Sequence, residues 1–271
     1  MLSDITIGQY FPGRSLLHRL DPRMKLVLTL LFIVVVFLPQ NWAGLGAVAA
    51  FTLLCVTLSR LPLRLMWRSV RPVLLLVLFT SLLNMFYITG GTPLLDLGPI
   101  HITSRGVGTA VFIAVRIVCL LMGSSLLTYT TTPTALTDAI ERLLSPLRVI
   151  RVNAHELAMM MTIALRFIPT LIEETEKIMN AQKARGAMLD SGTFTQRIKA
   201  LVPILIPLFI SAFRRADELA MAMECRCYHG GEGRTRLKQL KFTSEDFRCM
   251  VVIIVALVII GCTRFFVPGL A

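Results

Sequence analysis

The feature that most constrains this chain is a series of long apolar runs at 26–38, 42–58, 73–88, 107–128 and 250–267, separated by segments rich in arginine. In hydrocarbon every backbone N–H and C=O must find its partner within the protein, so a spanning segment is either a helix or a strand of a closed barrel. These runs lack the period-two alternation of barrel strands and are too long for them, which leaves α-helices. Over 271 residues, 55% hydrophobic and 16% charged, the composition is that of a polytopic membrane protein. The expected fold is all-α, with about five transmembrane helices and a cytoplasmic region of long amphipathic helices. The first run is short, which leaves its boundaries open.

Loop charges orient the set. Arg14, Arg19, Arg23 and Lys25 precede the first run, and Arg60, Arg64, Arg68 and Arg71 follow the second. PQNW after the first run carries no charge, and the loop before the fourth holds only Arg105. This alternation predicts a cytoplasmic N-terminus and, with five spans, an external C-terminus. MLSDITIGQYFPGRS is polar and precedes any apolar run, so no cleavable signal peptide is expected. A net charge of +12 invites a nucleic-acid reading, but the cations are spread over loops without an aromatic-laced patch, so none is expected. Cys55, Cys119, Cys225, Cys227, Cys249 and Cys262 fit no disulfide or zinc framework, and no metal site is expected.

Residues 131–248 carry most of the charge and are expected on the cytoplasmic side, between an N-terminal membrane region (1–130, four spans) and a C-terminal span (249–271). TPTALTDAIERLLSPL opens with a capping threonine and a proline and predicts a short amphipathic helix. A longer helix is expected from Asn153, striped by Leu157, Met161, Leu165, Ile168, Leu171/Ile172 and Ile178. A third carries Leu205, Leu208/Phe209, Ala212, Ala216, Leu219 and Met223 in the same spacing, with Pro169, Pro203 and Pro207 expected to bend or start these helices. Such stripes are too apolar to stay bare, and their methionines (159–161, 221, 223) suit either core filling or a surface that repacks against several partners.

Both long patterns end alike. AQKARGA (181–187) and MECRCYH (223–229) each set an arginine between small residues: Ala184-Arg185-Gly186 and Cys225-Arg226-Cys227. At an offset of 41 Glu176 aligns with Asp217, Ile178 with Leu219 and Ala181 with Ala222, while Gly186 and HGGEG (229–233) close the two helices. One arginine at a helix C-terminus is an ordinary dipole-capping cation. Two, each with small flanks, suit another protein's backbone coming close enough for the guanidinium fork to engage it.

Chemistry is sparse. No Gly-x-x-x-x-Gly-Lys-Ser/Thr loop occurs, so the chain is not expected to hydrolyse ATP. HELAM (155–159) lacks the second histidine of a zinc-protease helix, and His155 reads as a surface residue at a helix start. GSS (123–125) reads as small-residue helix packing. Arg116 is the one charge deep inside a span; it is either functional or paired with a neighbouring helix's polar group. A self-contained membrane enzyme would need clustered His, Asp or Glu at membrane depth, and a secondary carrier would need an inverted repeat of broken spans. Neither pattern is present.

Four long motifs point further. GQYFPGRSLLHRLDPRMK (8–25) resembles the N-terminal signature of the transmembrane T component (EcfT) of energy-coupling factor (ECF) transporters, a branch of the ABC importers. TTTPTALTDAIERLLSPL (130–147), ALRFIPTLIEETEKIMNAQKARG (164–186) and RRADELAMAMECRCYHGGEGR (214–234) resemble its coupling region, and the likeness runs through nearly the whole chain. The N-terminal motif is of the shared type. The resemblance implies a non-catalytic coupling subunit in the bacterial cell membrane, working with two cytoplasmic ABC ATPases and one interchangeable substrate-binding membrane subunit to import vitamins or other micronutrients. It implies ATP and Mg²⁺ in the partner ATPases and no cofactor on this chain. By the same resemblance Ala184, Arg185 and Gly186 dock into one ATPase and Cys225, Arg226 and Cys227 into the other. The unequal flanks favour two different ATPases. Leu157, Met161, Leu165, Leu205, Phe209 and Met223 are the expected contacts to the substrate-binding subunit. Cys225 and Cys227 depart from the family's Ala and Gly. If the glycine is needed for a positive φ, the second helix end is expected to differ in geometry, because cysteine adopts that backbone less freely.

Overall fold

The computed structural model describes residues 10–88, 90, 92–97, 100–145, 154–187, 193–230 and 244–266. The start of the N-terminal signature (Gly8, Gln9), the Ser145-Pro-Leu end of the 130–147 motif beyond Ser145, and HGGEG beyond Gly230 lie outside them. The described residues fall into two compact units, 10–139 with 244–266, and 140–230. The boundary between the units at 139/140 falls inside helix α6 (Pro133–Leu144), and α9 (Ser244–Phe266) packs with the helices Pro22–Phe37 and Trp42–Ser59.

The first unit begins with α1 (Leu16–Arg19), α2 (Pro22–Phe37), α3 (Trp42–Ser59) and α4 (Leu63–Tyr87). A two-stranded antiparallel ribbon follows, β1 (Pro93–Leu97) and β2 (Ile100–Thr103), and leads into α5 (Ser104–Thr130). The ribbon pairs Leu97 with Ile100 and Asp96 with His101; the sequence reading placed only a loop there. Helices α2, α3 and α5 start on side-chain caps, whereas α4 follows Pro62 without one. Asp21 accepts from the Arg23 amide at 2.9 Å ahead of Pro22, Asn41 from Gly44 at 2.8 Å, and Thr103 from Gly106 at 3.1 Å.

Helix α5 lies at the centre, against α2, α3 and α4. One core cluster joins Phe32, Val36, Val48, Cys119, Leu257 and Ile260; a second joins Val56, Leu61, Met66, Leu126 and Tyr129. Gly123 packs so closely on Phe32 that a Cβ there would stand 2.1 Å from the ring, which bears out small-residue packing for GSS. The outside of the bundle is as apolar as its inside: Leu75 is 78% and Val252 67% exposed. A helix apolar all round belongs in lipid.

Among the described residues five helices are long and apolar enough to cross a membrane: α3, α4, α5, the 155–184 stretch of α7 (Ala154–Ala184), and residues 246–263 of α9. The number agrees with the sequence reading, but the set does not. Helix α2, read as the first span, has 16 residues and a length of about 24 Å, short of the roughly 30 Å hydrocarbon core. Helix α7, read as a cytoplasmic coupling helix, qualifies because its first half carries few charges; Glu173, Glu174, Glu176 and Lys177 all lie in the second.

At one end of the bundle the chain closes on a buried polar clasp. Lys25, only 6% exposed, donates from Nζ to the carbonyls of His18 (3.2 Å) and Thr130 (3.0 Å). The Asp21 amide donates to Asp246 Oδ1 at 3.0 Å, and Arg23 lies 3.7 Å from Asp21. The sequence reading counted Lys25 among the loop cations. It instead ties α2 to α1 and α5, and the Asp21–Asp246 bond beside it adds α9.

The second unit is built on α7 and α8 (Phe194–Glu224), 31 residues each and about 46 Å long. Pro169, Pro203 and Pro207 all lie inside these helices, so none of them starts one. The two run antiparallel. Tyr228 donates to Met159 Sδ at 3.0 Å, Arg215 to Glu174 at 2.9 Å, and Gln182 to the Pro203 carbonyl at 3.3 Å, so the partner on α8 recedes as α7 advances.

Candidate functional site

The two arginines cap helices of the same local design. At the end of α7 the Gly186 amide donates to the Lys183 carbonyl (3.0 Å) and the Ala187 amide to Gln182 (3.0 Å). At the end of α8 the Cys227 amide donates to Glu224 (2.9 Å) and the Tyr228 amide to Met223 (3.1 Å). Both are the paired 5→2 and 6→1 bonds of a Schellman motif, which needs a left-handed residue after the cap. Gly186 supplies it with φ +85°, and Cys227 supplies it with φ +54°. The expected difference in geometry is therefore absent: Cys227 takes the glycine-like backbone. A side chain there costs about 1–2 kcal/mol. Nothing lies within 4 Å of where a Cβ on Gly186 would sit, so the glycine answers to backbone conformation and not to space.

In both motifs the arginine is the last residue before the left-handed turn. Ala184, Arg185, Gly186, Cys225, Arg226 and Cys227 are all exposed. The antiparallel register sets Arg226 beside the Met159 level of α7 and Arg185 just beyond Gln182. At 1.5 Å per residue the two caps stand roughly 40 Å apart, at opposite ends of one hairpin. They do not form one site. They form two matching ones.

The hairpin between them is held by polar and apolar ties. Glu174 accepts from the Ser211 hydroxyl and from Arg215 Nη2. Ile163, Phe167 and Leu171 line an apolar cavity of about 260 Å³ with Ala216, Leu219 and Met223. Met223 thus belongs to the α7–α8 seam. Leu165 is half-buried, while Leu157, Met161, Leu205 and Phe209 are exposed. The register divides those four between the ends, with Leu157 and Met161 toward Arg226 and Leu205 and Phe209 toward Arg185. The sequence reading drew one narrow stripe on α8, yet Leu201, Val202, Ile206, Ile210 and Phe213 are exposed as well. The aperiodic run LVPILIPLFI (201–210) is the signal for that broad face.

Two other singled-out residues have partners. Arg116 Nη2 donates to the Pro39 carbonyl, and its guanidinium lies over Phe112 (4.7 Å) and Phe37 (6.0 Å). It seats a charge against the turn that follows α2, where a cation favours the helix's last carbonyls. His155 is not a free surface residue; its Nδ1 lies 3.0 Å from Glu141 Oε1. Among the described residues no group of three or more His, Cys, Asp or Glu is placed to hold a metal.

Comparisons with known proteins agree with this architecture. The family model CbiQ, described as "Cobalt transport protein", matches residues 13–237. The energy-coupling factor transporter transmembrane protein EcfT of Ruminiclostridium cellulolyticum is 54% identical over 246 residues, 91% of this chain and 92% of that one. The protein of the same name from Acidaminococcus fermentans is 49% identical over 269 residues, 99% and 100% of the two chains. That of Bacillus subtilis is 45% identical over 266 residues, 98% and 99%. With matching helix ends, an apolar bundle and full-length likeness to these relatives, the chain belongs to the family of EcfT transmembrane proteins of energy-coupling factor transporters.

Proposed function

We propose that this chain is the mechanical link of an ECF importer, and that Arg185 and Arg226 each seat in one of two cytoplasmic ATPase subunits. The observation that carries the reading is the pair of Schellman ends at opposite tips of one helical hairpin. Two equivalent grooves on two ATPases require two equivalent plugs, held apart by a stiff spacer. Ala184 and Cys225 keep the approach open, while Gly186 and Cys227 turn the chain away after the arginine. ATP and Mg²⁺ belong to the ATPases, whose closing displaces both tips, and α7 and α8 carry that motion to the bilayer. The arginines act as pins without any chemical step. A substrate-binding membrane subunit, exchangeable between cargoes, covers the exposed apolar residues Leu157, Met161, Leu205 and Phe209, with Leu165 and Met223 behind them. The N-terminus and both arginine ends face the cytoplasm of a bacterial cell, as the loop cations favour, so α7, though long and apolar enough to cross a membrane, lies along its cytoplasmic face.

The test is affinity purification of the full chain from its native membrane in mild detergent, with co-purifying proteins identified. Two nucleotide-binding subunits and at least one small, very hydrophobic protein are expected. A chain that came out reproducibly alone would return the two arginines to solvated caps.

A further inference from the structure

A second basic feature lies in the unit of residues 10–139 and 244–266. Arg14, Arg19 and Arg60 line a cavity of about 450 Å³ with Ser15 and Thr57, and no carboxylate is among the lining residues. The three arginines are exposed, and among the described residues no carboxylate pairs with them. The cavity has an apolar wall as well: Leu16 and Leu58 line it, and Leu54, one turn below Leu58 on α3, is exposed.

Its depth follows from the chain. Helix α3 is an apolar span of 18 residues, about 27 Å, and Arg60 is the residue directly after it. Arg60 therefore sits where hydrocarbon gives way to headgroups, whichever face of the membrane that is. Its backbone is left-handed, with φ +54° and ψ +26°, a conformation that glycine or asparagine adopts more cheaply. That conformation closes the helix, with the Arg60 amide donating to the Thr57 carbonyl at 3.2 Å, and it leaves the side chain lining the cavity.

We propose that this cavity is a binding site for the phosphate headgroup of an anionic phospholipid, with Arg14, Arg19 and Arg60 on the phosphodiester and the acyl chains lying along Leu58 and Leu54. Free phosphate shares the headgroup's charge and oxygens, but it has no use for the leucine wall. Guanidinium groups suit phosphate because their forked N–H donors bind two oxygens at once. The Ser15 hydroxyl is committed to His18, 2.6 Å from Nδ1, so it shapes the wall and leaves the charge to the arginines. The site rests only on the residence of the chain in a bilayer and not on the proposed docking of ATPases.

The experiment uses the purified full-length chain, delipidated and titrated with phosphatidylglycerol or phosphatidylcholine, with bound lipid counted by native mass spectrometry. Phosphatidylglycerol is expected to be retained preferentially. Arg14→Gln, Arg19→Gln and Arg60→Asn should each weaken it about fivefold, and the triple variant on the order of a hundredfold. Arg64→Gln/Arg68→Gln/Arg71→Gln removes equal charge from exposed positions of α4 that do not line the cavity, and it should leave retention unchanged. Equal loss in that control would reduce the preference to diffuse surface charge and overturn the site. Undiminished retention in a triple variant with wild-type helicity would also overturn it. Displacement of the lipid by excess inorganic phosphate would reassign the cavity to a free anion.

Discussion

Cys227 holds a left-handed backbone so that the Tyr228 amide can reach the Met223 carbonyl, which is the work Gly186 does at the other end. Cys227→Gly should remove the steric cost of the Cβ and stabilise that helix end by roughly 1 kcal/mol, seen as slower hydrogen exchange of the Tyr228 amide. Unchanged exchange would mean that the turn carries no strain. Arg185 gives the sharpest test at this scale. Arg185→Ala should weaken association with an ATPase by about 2–5 kcal/mol if the guanidinium is buried on docking, measured by titration in detergent. An affinity equal to that of the wild type would leave the residue a dipole cap worth about 0.3–1 kcal/mol to the helix.

The proposed spacer between two docking points would have to be stiff, and α7 and α8 are tied to each other along their length. The Glu174–Arg215 pair and the Ser211 hydroxyl cross the seam near its middle, flanked by the apolar contacts of Phe167 and Leu171. The outward side of α8 is a different matter. Phe209 is 62% exposed, one turn from exposed Leu205, on a helix whose opposite face, at Ala216, Leu219 and Met223, is turned to α7. Placing a charge on that outward face should leave the hairpin intact and repel an apolar partner. Leu205→Asp/Phe209→Asp is expected to release the substrate-binding subunit while both ATPases stay bound, read as the subunit composition of the purified complex. Loss of the ATPases together with that subunit would mean that the substitution had broken the hairpin itself.

For the whole molecule, stability and coupling belong to different units. In the membrane bundle Lys25 bonds two carbonyls beside Asp21 and Asp246. Lys25→Met removes one partner and leaves buried charge behind, which should cost about 3–5 kcal/mol and lower the apparent melting temperature in detergent. Lys25→Met/Asp246→Asn should recover much of that loss, because an asparagine oxygen can still accept from the Asp21 amide. Coupling is tested at the far tips. Arg185→Ala/Arg226→Ala should abolish cargo uptake in vesicles while the chain remains inserted and folded, and uptake at the normal rate would sink the two-pin model.

Much of this protein was legible in its sequence. Apolar runs with basic loops demand a helical membrane bundle, because lipid offers the backbone no partners. The two Arg-centred motifs, being local helix ends, could be read from residue type and spacing alone. Tertiary structure decided the rest. It showed that Cys227 can do glycine's work, since backbone φ responds to the closing hydrogen bonds as well as to residue preference. It moved Lys25 from a solvated loop cation to a buried clasp by bringing Thr130 and Asp246 from distant parts of the chain. It also set the two arginines at opposite ends of one hairpin. A periodic stripe tells which face of a helix is apolar, but which neighbour covers it, and in which direction, depends on contacts between residues far apart in sequence.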